Sequence, residues 1–446
     1  MESSILSSSG CSRNFRLQPG PGCHILKERK QSLSLVFRDG GVQDLPAAAR
    51  LLLHSFPNVY PSRSEWEEIL ADSPRGGAET LWVGEEDGRL VAVCRMYRLQ
   101  QWIGGVTIPV MGLGAVAISP DARRRGLAGR LVSSGLRRAR SRGDLGSVLY
   151  PFRTAFYRQL GYGMAGEVQQ FRFPPGRLRD HPARDRVRVV TTQDDRDAIA
   201  DVYDRWAPGQ TGQLLRSSRA WDLVWQDDTR HGVIWTSAQG EAEGYAIYHY
   251  APDLRTGIRA LDVEEFAWIT NDARLGMLAW LGSLSDQWDQ VIYRAHPDEL
   301  FAENLSELRD TSPDVPRWHF WFPAATLLHG PMFRLLDLSR AWRARPVLIG
   351  PSLTVALEVQ DGDIPENQGS WNLRFAGGRA FVGEGRRTEA DFLFTLGIET
   401  LSRLYIGSLT PSAAVAAGLA TTDRTERLGD LDTLLRVPRP WTYDRF

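Results

Sequence analysis

Residues 118–131 read ISPDARRRGLAGRL, with Arg123, Arg124 and Arg125 running into Gly126, and Leu127, Ala128 and Gly129 following. As a pattern this is R-x-x-G-x-A, placed after an apolar β run and opening a helix whose spacing carries it from about Leu127 to Arg142, just before Gly143. A phosphate at a helix N-terminus is held by unpaired backbone N–H groups and the helix dipole, and small residues let the main chain come close. Arginines add charge-assisted hydrogen bonds to such an anion. Taken alone, the pattern reads equally well as an exposed basic helix start.

A second motif shares the region. Gly112 to Ala117 (GLGAVA) matches G-x-G-x-x-A, the dinucleotide fingerprint. Such a fingerprint opens a helix, whereas this run continues as strand toward Pro120, and no strand ending in an acid follows at the expected distance. The dinucleotide reading is therefore set aside.

Composition bounds the rest. At roughly 150 residues per domain, 446 residues divide into about three units. The 53 Lys plus Arg balance 54 Asp plus Glu, so no global field favours nucleic acid or an anionic membrane. Cys11, Cys23 and Cys94 are odd in number, widely spaced and form no metal-ligand motif with the histidines, which points to a reducing cytoplasm and no metal. The N-terminus lacks a basic region and a long apolar core, so residues 1–34 are expected to be a mobile extension rather than a secretory signal. The uncharged stretch from Leu99 to Pro120 is broken by Gln100, Gln101, Thr107, Pro109 and glycines, which suits strands better than a membrane span.

Along the chain, the order βα, ββ, β, α, β, α, β over residues 35–175 describes one mixed α/β unit, closing with the strand MAGEVQQFRF. The Pro-, Gly- and charge-rich run from Phe173 to Arg186 reads as a linker. Beyond it the chain repeats itself: Trp82–Tyr97 and Trp235–Tyr250 share a length and a turn position, and ITNDARLGMLAWL (269–281) is a degenerate echo of ISPDARRRGLAGRL without its arginine cluster. Residues 176–327 are thus expected to be a second copy of the fold that has lost the anion site. Residues 328–446 form an α+β unit, with strands in LTVALEVQD, GSWNLRFAGG and RAFVGEG and helices in DFLFTLGIETLSRLYIG and PSAAVAAGLA. The Trp318–Trp321 run (WHFW) reads as core or subunit interface.

The sequence VAISPDARRRGLAGRLV followed by SVLYPFRTAFYRQLGYG resembles the GCN5-related N-acetyltransferases, and more closely the enhanced intracellular survival (Eis) family among them. The resemblance covers about Leu35 to Phe446 and implies an α/β (α+β) architecture of tandem acetyltransferase folds followed by a sterol-carrier-like domain. It implies acetyl-CoA as co-substrate, a small-molecule amine as acceptor, and a homo-oligomer, often a hexamer. By residue, it places the main chain of Val116, Ala117 and Ile118 beside the acyl arm, and Arg123, Arg124, Arg125, Gly126, Leu127, Ala128 and Gly129 around the coenzyme phosphates. Through Y-x-x-x-G-Y-G it gives Tyr157 the role of general acid with Tyr162 as a second aromatic, and it makes the C-terminal carboxylate, here of Phe446, the general base.

The same resemblance builds the acceptor pocket from the first helix and its loop: Phe56, Asn58, Val59 and Trp66, with Arg445 beside the terminus. Family members that acetylate polycationic aminoglycosides line this pocket with acids. Here Asn58 stands in place of an acid and Arg445 in place of Glu, so a less cationic amine, or one bearing an anionic group, fits better. Two rivals remain at this stage: the same scaffold moving another acyl-type group in antibiotic biosynthesis or self-resistance, and a non-catalytic binder of coenzyme A or lipid.

Overall fold

The computed structural model describes residues 34–309, 321–385 and 390–446. The N-terminal extension with Cys11 and Cys23, and the Trp318–Trp321 run except Trp321, lie outside the described residues. The first unit runs β1 (Leu35–Asp39), α1 (Leu45–Ser55), α2 (Arg63–Ala71), β2 (Leu81–Glu86), β3 (Arg89–Ile103), β4 (Val106–Ile118), α3 (Leu127–Ser141), β5 (Gly146–Leu149), α4 (Thr154–Arg158), β6 (Gly163–Met164) and β7 (Glu167–Phe173). Asp87 and Gly88 both take positive φ (51° and 79°), so the β2–β3 hairpin closes through the left-handed turn that suits strand twist.

Alternation along the strands sorts the helices onto two faces. Val83, Val93 and Ala117 point to one side, where they meet Leu45, Ala48, Ala49 and Leu52 of α1 and Trp66 and Leu70 of α2. Trp82, Cys94, Met96 and Leu113 point to the other, where they meet Leu131, Val132, Leu136 and Ala139 of α3 and Tyr157 of α4. The apolar stripes of α1 and α3 at helical spacing are thus what seat these helices.

The second unit repeats the plan with β8 (Val187–Val189), α5 (Gln193–Trp206), α6 (Ser218–Trp225), β9 (Arg230–Thr236), β10 (Ala242–Tyr250), β11 (Ala260–Trp268), α7 (Asn271–Gly282) and β12 (Gln290–Ala295), then β13 (Thr326–His329) and β14 (Met332–Leu335). β11 and β12 run parallel, as do β4 and β5. One difference sets the copies apart. The side chain of Thr270 caps α7 by accepting from the Ala273 N–H, whereas α3 starts from Gly126 with no side-chain cap.

The expected closing strand of the first unit is corrected by the pairing. β7 lies between β12 and β13 in the second sheet, while β14 lies between β5 and β6 in the first. Each sheet therefore receives a strand from the other half of the chain. The exchange is buried: Phe171 and Phe173 of β7 pack in the second core, and Phe333 and Leu335 of β14 pack in a core shared with the third unit.

The third unit comprises α8 (Leu338–Ala344), β15 (Leu353–Gln360), β16 (Gly369–Ala376), β17 (Arg379–Glu384), β18 (Phe392–Gly397), α9 (Ile398–Ile406), α10 (Pro411–Ala416), β19 (Ala420–Thr422) and α11 (Leu428–Leu434). Within the expected helical run DFLFTLGIETLSRLYIG, Phe392–Gly397 is strand, pairing parallel with β15 and burying Phe392, Phe394 and Leu396 in alternation. The unit is locked to the first by a fully buried pair: Arg334 donates to Asp361 at 2.6 Å and to the carbonyl of Leu160 at 2.7 Å.

Candidate active site

The parting of two parallel strands makes the cleft. β4 pairs with β5 at Val110, Met111 and Gly112 and no further, while its opposite edge stays paired with β3 out to Ile118. A bulge falls in between, where Ala115 takes a φ of 51° opposite the register shift between Val93 and Arg95. Left-handed backbone at an alanine is strained and persists where the surroundings hold it. From Leu113 to Ile118, β4 thus offers an edge that no strand among the described residues covers, and Val116, Ala117 and Ile118 lie on it.

The arginine loop follows that edge. Arg124 (φ 60°) and Gly126 (φ 74°) both adopt left-handed backbone, which swings the chain into α3. A Cβ on Gly126 or Gly129 would meet nothing within 4 Å, so the face above the first turn of α3 is open. With no side-chain cap, its N–H groups and positive dipole end face outward, as an anion site needs. The three guanidiniums are not equivalent. Arg123 and Arg124 are exposed, and Arg123 donates to the Ile118 carbonyl. Arg125, also exposed, forms a two-pronged pair with Glu86, at 2.5 and 3.0 Å, so it already meets a carboxylate. Glu86 sits low on the neighbouring strand, where an unpaired carboxylate would be costly.

Tyr157 approaches from α4. Its ring is buried against those of Phe152, Phe156 and Tyr162, in a cluster that also holds Cys94, Leu113 and Leu160, and its hydroxyl has no hydrogen-bond partner among the described residues. Burial pushes the phenol above its ordinary value, and burial likewise pushes the Cys94 thiol up and keeps it protonated. Tyr162 differs: it is fully buried and its hydroxyl shares a 2.6 Å hydrogen bond with Ser147, so its part is to hold α4 against β5.

The C-terminal segment enters between the units. The Trp441 N–H donates to the Thr211 carbonyl, and the Tyr443 ring stacks on Trp206 at 5.6 Å while its hydroxyl donates to the Phe266 carbonyl. The Phe446 ring then lies 5.5 Å from that of Tyr150 and 6.3 Å from that of Tyr97. A Cβ on Gly112 would stand 3.1 Å from the Phe446 ring and 2.6 Å from Leu99. Glycine inside a strand marks such close approaches. The last residue of the chain is therefore seated where β4 and β5 part.

Of the expected pocket residues, Trp66 is buried with its ring 4.8 Å from Tyr60 and 6.3 Å from Phe56, and its indole N–H has no hydrogen-bond partner. Asn58 and Val59 are exposed on the loop between α1 and α2. Arg445 lines a cavity of about 230 Å³ against the second unit, together with Arg75, Arg216, Arg230, Glu264 and Asp444. Gly112 as a seat, and the pairing of Asp444 with Arg75 and Arg216, were not anticipated. The glycine carried a legible signal, whereas Arg75 and Asp444 are far apart in sequence and carried none.

Two acetyltransferase (GNAT) domain models match residues 37–165 and 212–334, and a sterol carrier protein domain model matches residues 338–443. Over 408 residues the chain is 25% identical to N-acetyltransferase Eis of Mycobacterium tuberculosis, covering 87% of this chain and 94% of that protein. The chain is an Eis-like acyltransferase of the GNAT kind. An N-acetyltransferase of Streptomyces griseus without an assigned role is 26% identical to this Eis-like chain over 413 residues, 85% of it and 92% of the relative. Among solved structures, a GCN5-related N-acetyltransferase from Anabaena variabilis shares its fold with a TM-score of 0.79 at 22% identity, covering 93% of this chain and all of that one. GNAT acetyltransferases use acetyl-CoA. Among the described residues of the Eis-like chain no cluster of metal-ligating side chains occurs, and no helix is long and apolar enough to cross a membrane.

Proposed function

We propose that this Eis-like chain transfers the acetyl group of acetyl-CoA to a primary amine of a small molecule, with Tyr157 as general acid and the α-carboxylate of Phe446 as general base. One observation carries the reading: Phe446 is seated against Gly112 where β4 and β5 part, and Tyr157 belongs to the buried cluster that also holds Leu113 of the same open edge and takes Val116 at its margin. The acyl arm would lie along Val116, Ala117 and Ile118, with its pyrophosphate over Gly126, Leu127, Ala128 and Gly129 and its charge met by Arg123 and Arg124. The amine gives a proton to the carboxylate of Phe446, and its nitrogen attacks the thioester carbonyl carbon. The carbon–sulfur bond then breaks, and the departing thiolate takes the Tyr157 proton. An ordinary α-carboxyl has a pKa of about 3.5 and is a weak base, so the reading needs the terminal carboxylate to lose water when the substrates close over it.

The charges favour an acceptor that is not a polycation. Asp444 and Glu265 are both engaged by Arg216, Glu264 is engaged by Arg230, and Arg445 adds a cation to the same cavity. The unpartnered indole N–H of Trp66 offers a donor to an acceptor oxygen.

The test is thiol release from acetyl-CoA with tyramine, kanamycin and glucosamine 6-phosphate as probe amines, on the intact chain and on one extended by a single glycine after Phe446. Turnover that favours glucosamine 6-phosphate over kanamycin, and that the extension lowers by roughly 100-fold, is the expected result. Unchanged turnover on extension removes the terminal base, and no thiol release with any of the three overturns the transfer reading.

A further inference from the structure

The second unit lacks an open phosphate loop, since Thr270 caps α7, yet it holds a buried charge that reaches the C-terminal segment. The Arg216 side chain, just ahead of α6, is 1% exposed. Its Nε donates to Asp444 at 3.2 Å, and its two terminal nitrogens donate to Glu265 of β11 at 3.0 and 2.8 Å. The guanidinium also lies over the rings of Tyr203 and Trp221, 4.2 and 4.6 Å from their centroids. Glu265 is completed by the hydroxyl of Tyr245 at 2.8 Å.

Asp444, two residues from the end of the chain, is gripped from both units at once. Arg75, on the loop between α2 and β2 of the first unit, donates to its carboxylate at 3.2 Å. Tyr150, after β5, donates to its main-chain carbonyl at 2.6 Å. The Tyr203 hydroxyl of the second unit adds a longer bond to the same carboxylate, at 3.4 Å, so side chain and backbone of one residue are held by four donors on two units. A chain end is ordinarily the first part of a protein to fray. Here the chain is pinned by polar contacts at Asp444, two residues before the ring of Phe446 seats against Tyr97 and Tyr150.

We propose that Arg216 and Asp444 form a clamp by which the second, phosphate-loop-less unit positions the terminal carboxylate of Phe446 for the reaction in the first. Arg216 is thereby a positioning residue, acting on the acceptor's proton only through the chain end. The inference rests on the proposed role of the Phe446 carboxylate. It explains why a unit without a phosphate loop keeps a buried Arg–Glu–Asp network: that network sets the direction from which the terminus enters.

A double-mutant cycle on the full chain tests it. The variants are Arg216→Gln, a chain lacking Phe446, and the two combined, each assayed by thiol release with the best of the three probe amines. For Arg216→Gln the expected result is a kcat lowered roughly 10- to 100-fold with the acetyl-CoA dissociation constant unchanged by calorimetry. Arg216→Lys recovers part of the loss. In the combined variant the losses do not multiply, because Arg216 has nothing left to position. If they multiply, or if Arg216→Gln lowers acetyl-CoA affinity in step with turnover, Arg216 acts elsewhere and the clamp is overturned. Should Arg216→Gln fail to fold, Asp444→Asn carries the same cycle, since it leaves Arg216 paired with Glu265. A chain without Phe446 that keeps full turnover removes the terminal base itself, an outcome distinct from multiplying losses.

Discussion

At the scale of single residues, Tyr157 and Tyr162 show how one motif divides its labour. Both come from the Y-x-x-x-G-Y-G run and both are buried, but only Tyr162 has a hydroxyl partner, in Ser147. Tyr157→Phe should lower kcat by roughly 100-fold while leaving acetyl-CoA affinity unchanged by calorimetry. Burial raises the Tyr157 phenol above its ordinary value of 10.0, and a phenol is protonated below its pKa, so the acid stays loaded across the working range. Turnover should accordingly rise with pH as amine and carboxylate lose protons, with no fall due to Tyr157 below about pH 10. A basic limb in the pH–kcat profile of the intact chain that vanishes in Tyr157→Phe would show the phenol to titrate lower than its burial dictates. Position 157 was legible from the motif. The contrast with Tyr162 was not, because it depends on Ser147 facing one ring and not the other.

At the scale of elements, the helix starts of α3 and α7 explain why only one copy of the repeat reads as an anion site. The echo ITNDARLGMLAWL keeps Arg274 but lost the arginine cluster, and the structure adds a second change, the Thr270 cap on the α7 donors. Ahead of α3 the three exposed arginines divide, since Arg125 is paired with Glu86 while Arg123 and Arg124 have no carboxylate partner among the described residues. Arg124→Ala should therefore weaken acetyl-CoA binding about tenfold, the loss of one charge-assisted hydrogen bond. Arg125→Ala should weaken it by less than about threefold but lower the melting temperature by leaving Glu86 unpaired. Calorimetric titration and thermal melts separate the two, and a larger binding loss at Arg125 would show that its pair with Glu86 opens for the ligand. The helix itself was readable from spacing. Glu86 as a competitor for one arginine was not, because it comes from a different strand.

At the scale of the whole molecule, the exchange of β7 and β14 makes the acetyltransferase units mutually dependent. A chain ending near residue 175 would leave the β5 edge bare and remove Phe333 and Leu335 from a core that also takes Val110 and Val148 of the first unit. It would also carry β7 as a strand without its sheet. Residues 34–175 alone should therefore fail to fold, seen as an absence of cooperative melting by circular dichroism. Residues 34–446 should melt without a separate early transition for the first unit. An independently folded fragment would mean that β7 can turn back to fill the place of β14. Within the intact molecule, Asp361→Ala should cost about 3–5 kcal/mol in urea unfolding, because it leaves Arg334 charged and unpaired in the interior.

Local information dictated the elements whose partners lie close by in the chain. The Asp87–Gly88 hairpin, the stripes of α1 and α3, the glycine-bearing helix start and the internal repeat all follow from residue type and spacing, because short-range sterics and amphipathicity act within a few residues. Strand exchange, the seat of Phe446 on Gly112 and the grip on Asp444 belong to long-range packing. Arg75 and Asp444 stand 369 positions apart, and Arg216 and Asp444 stand 228 apart. Nothing in either neighbourhood encodes the other, so these contacts exist only once the units have condensed and Asp444 has been brought to Arg75 and Arg216.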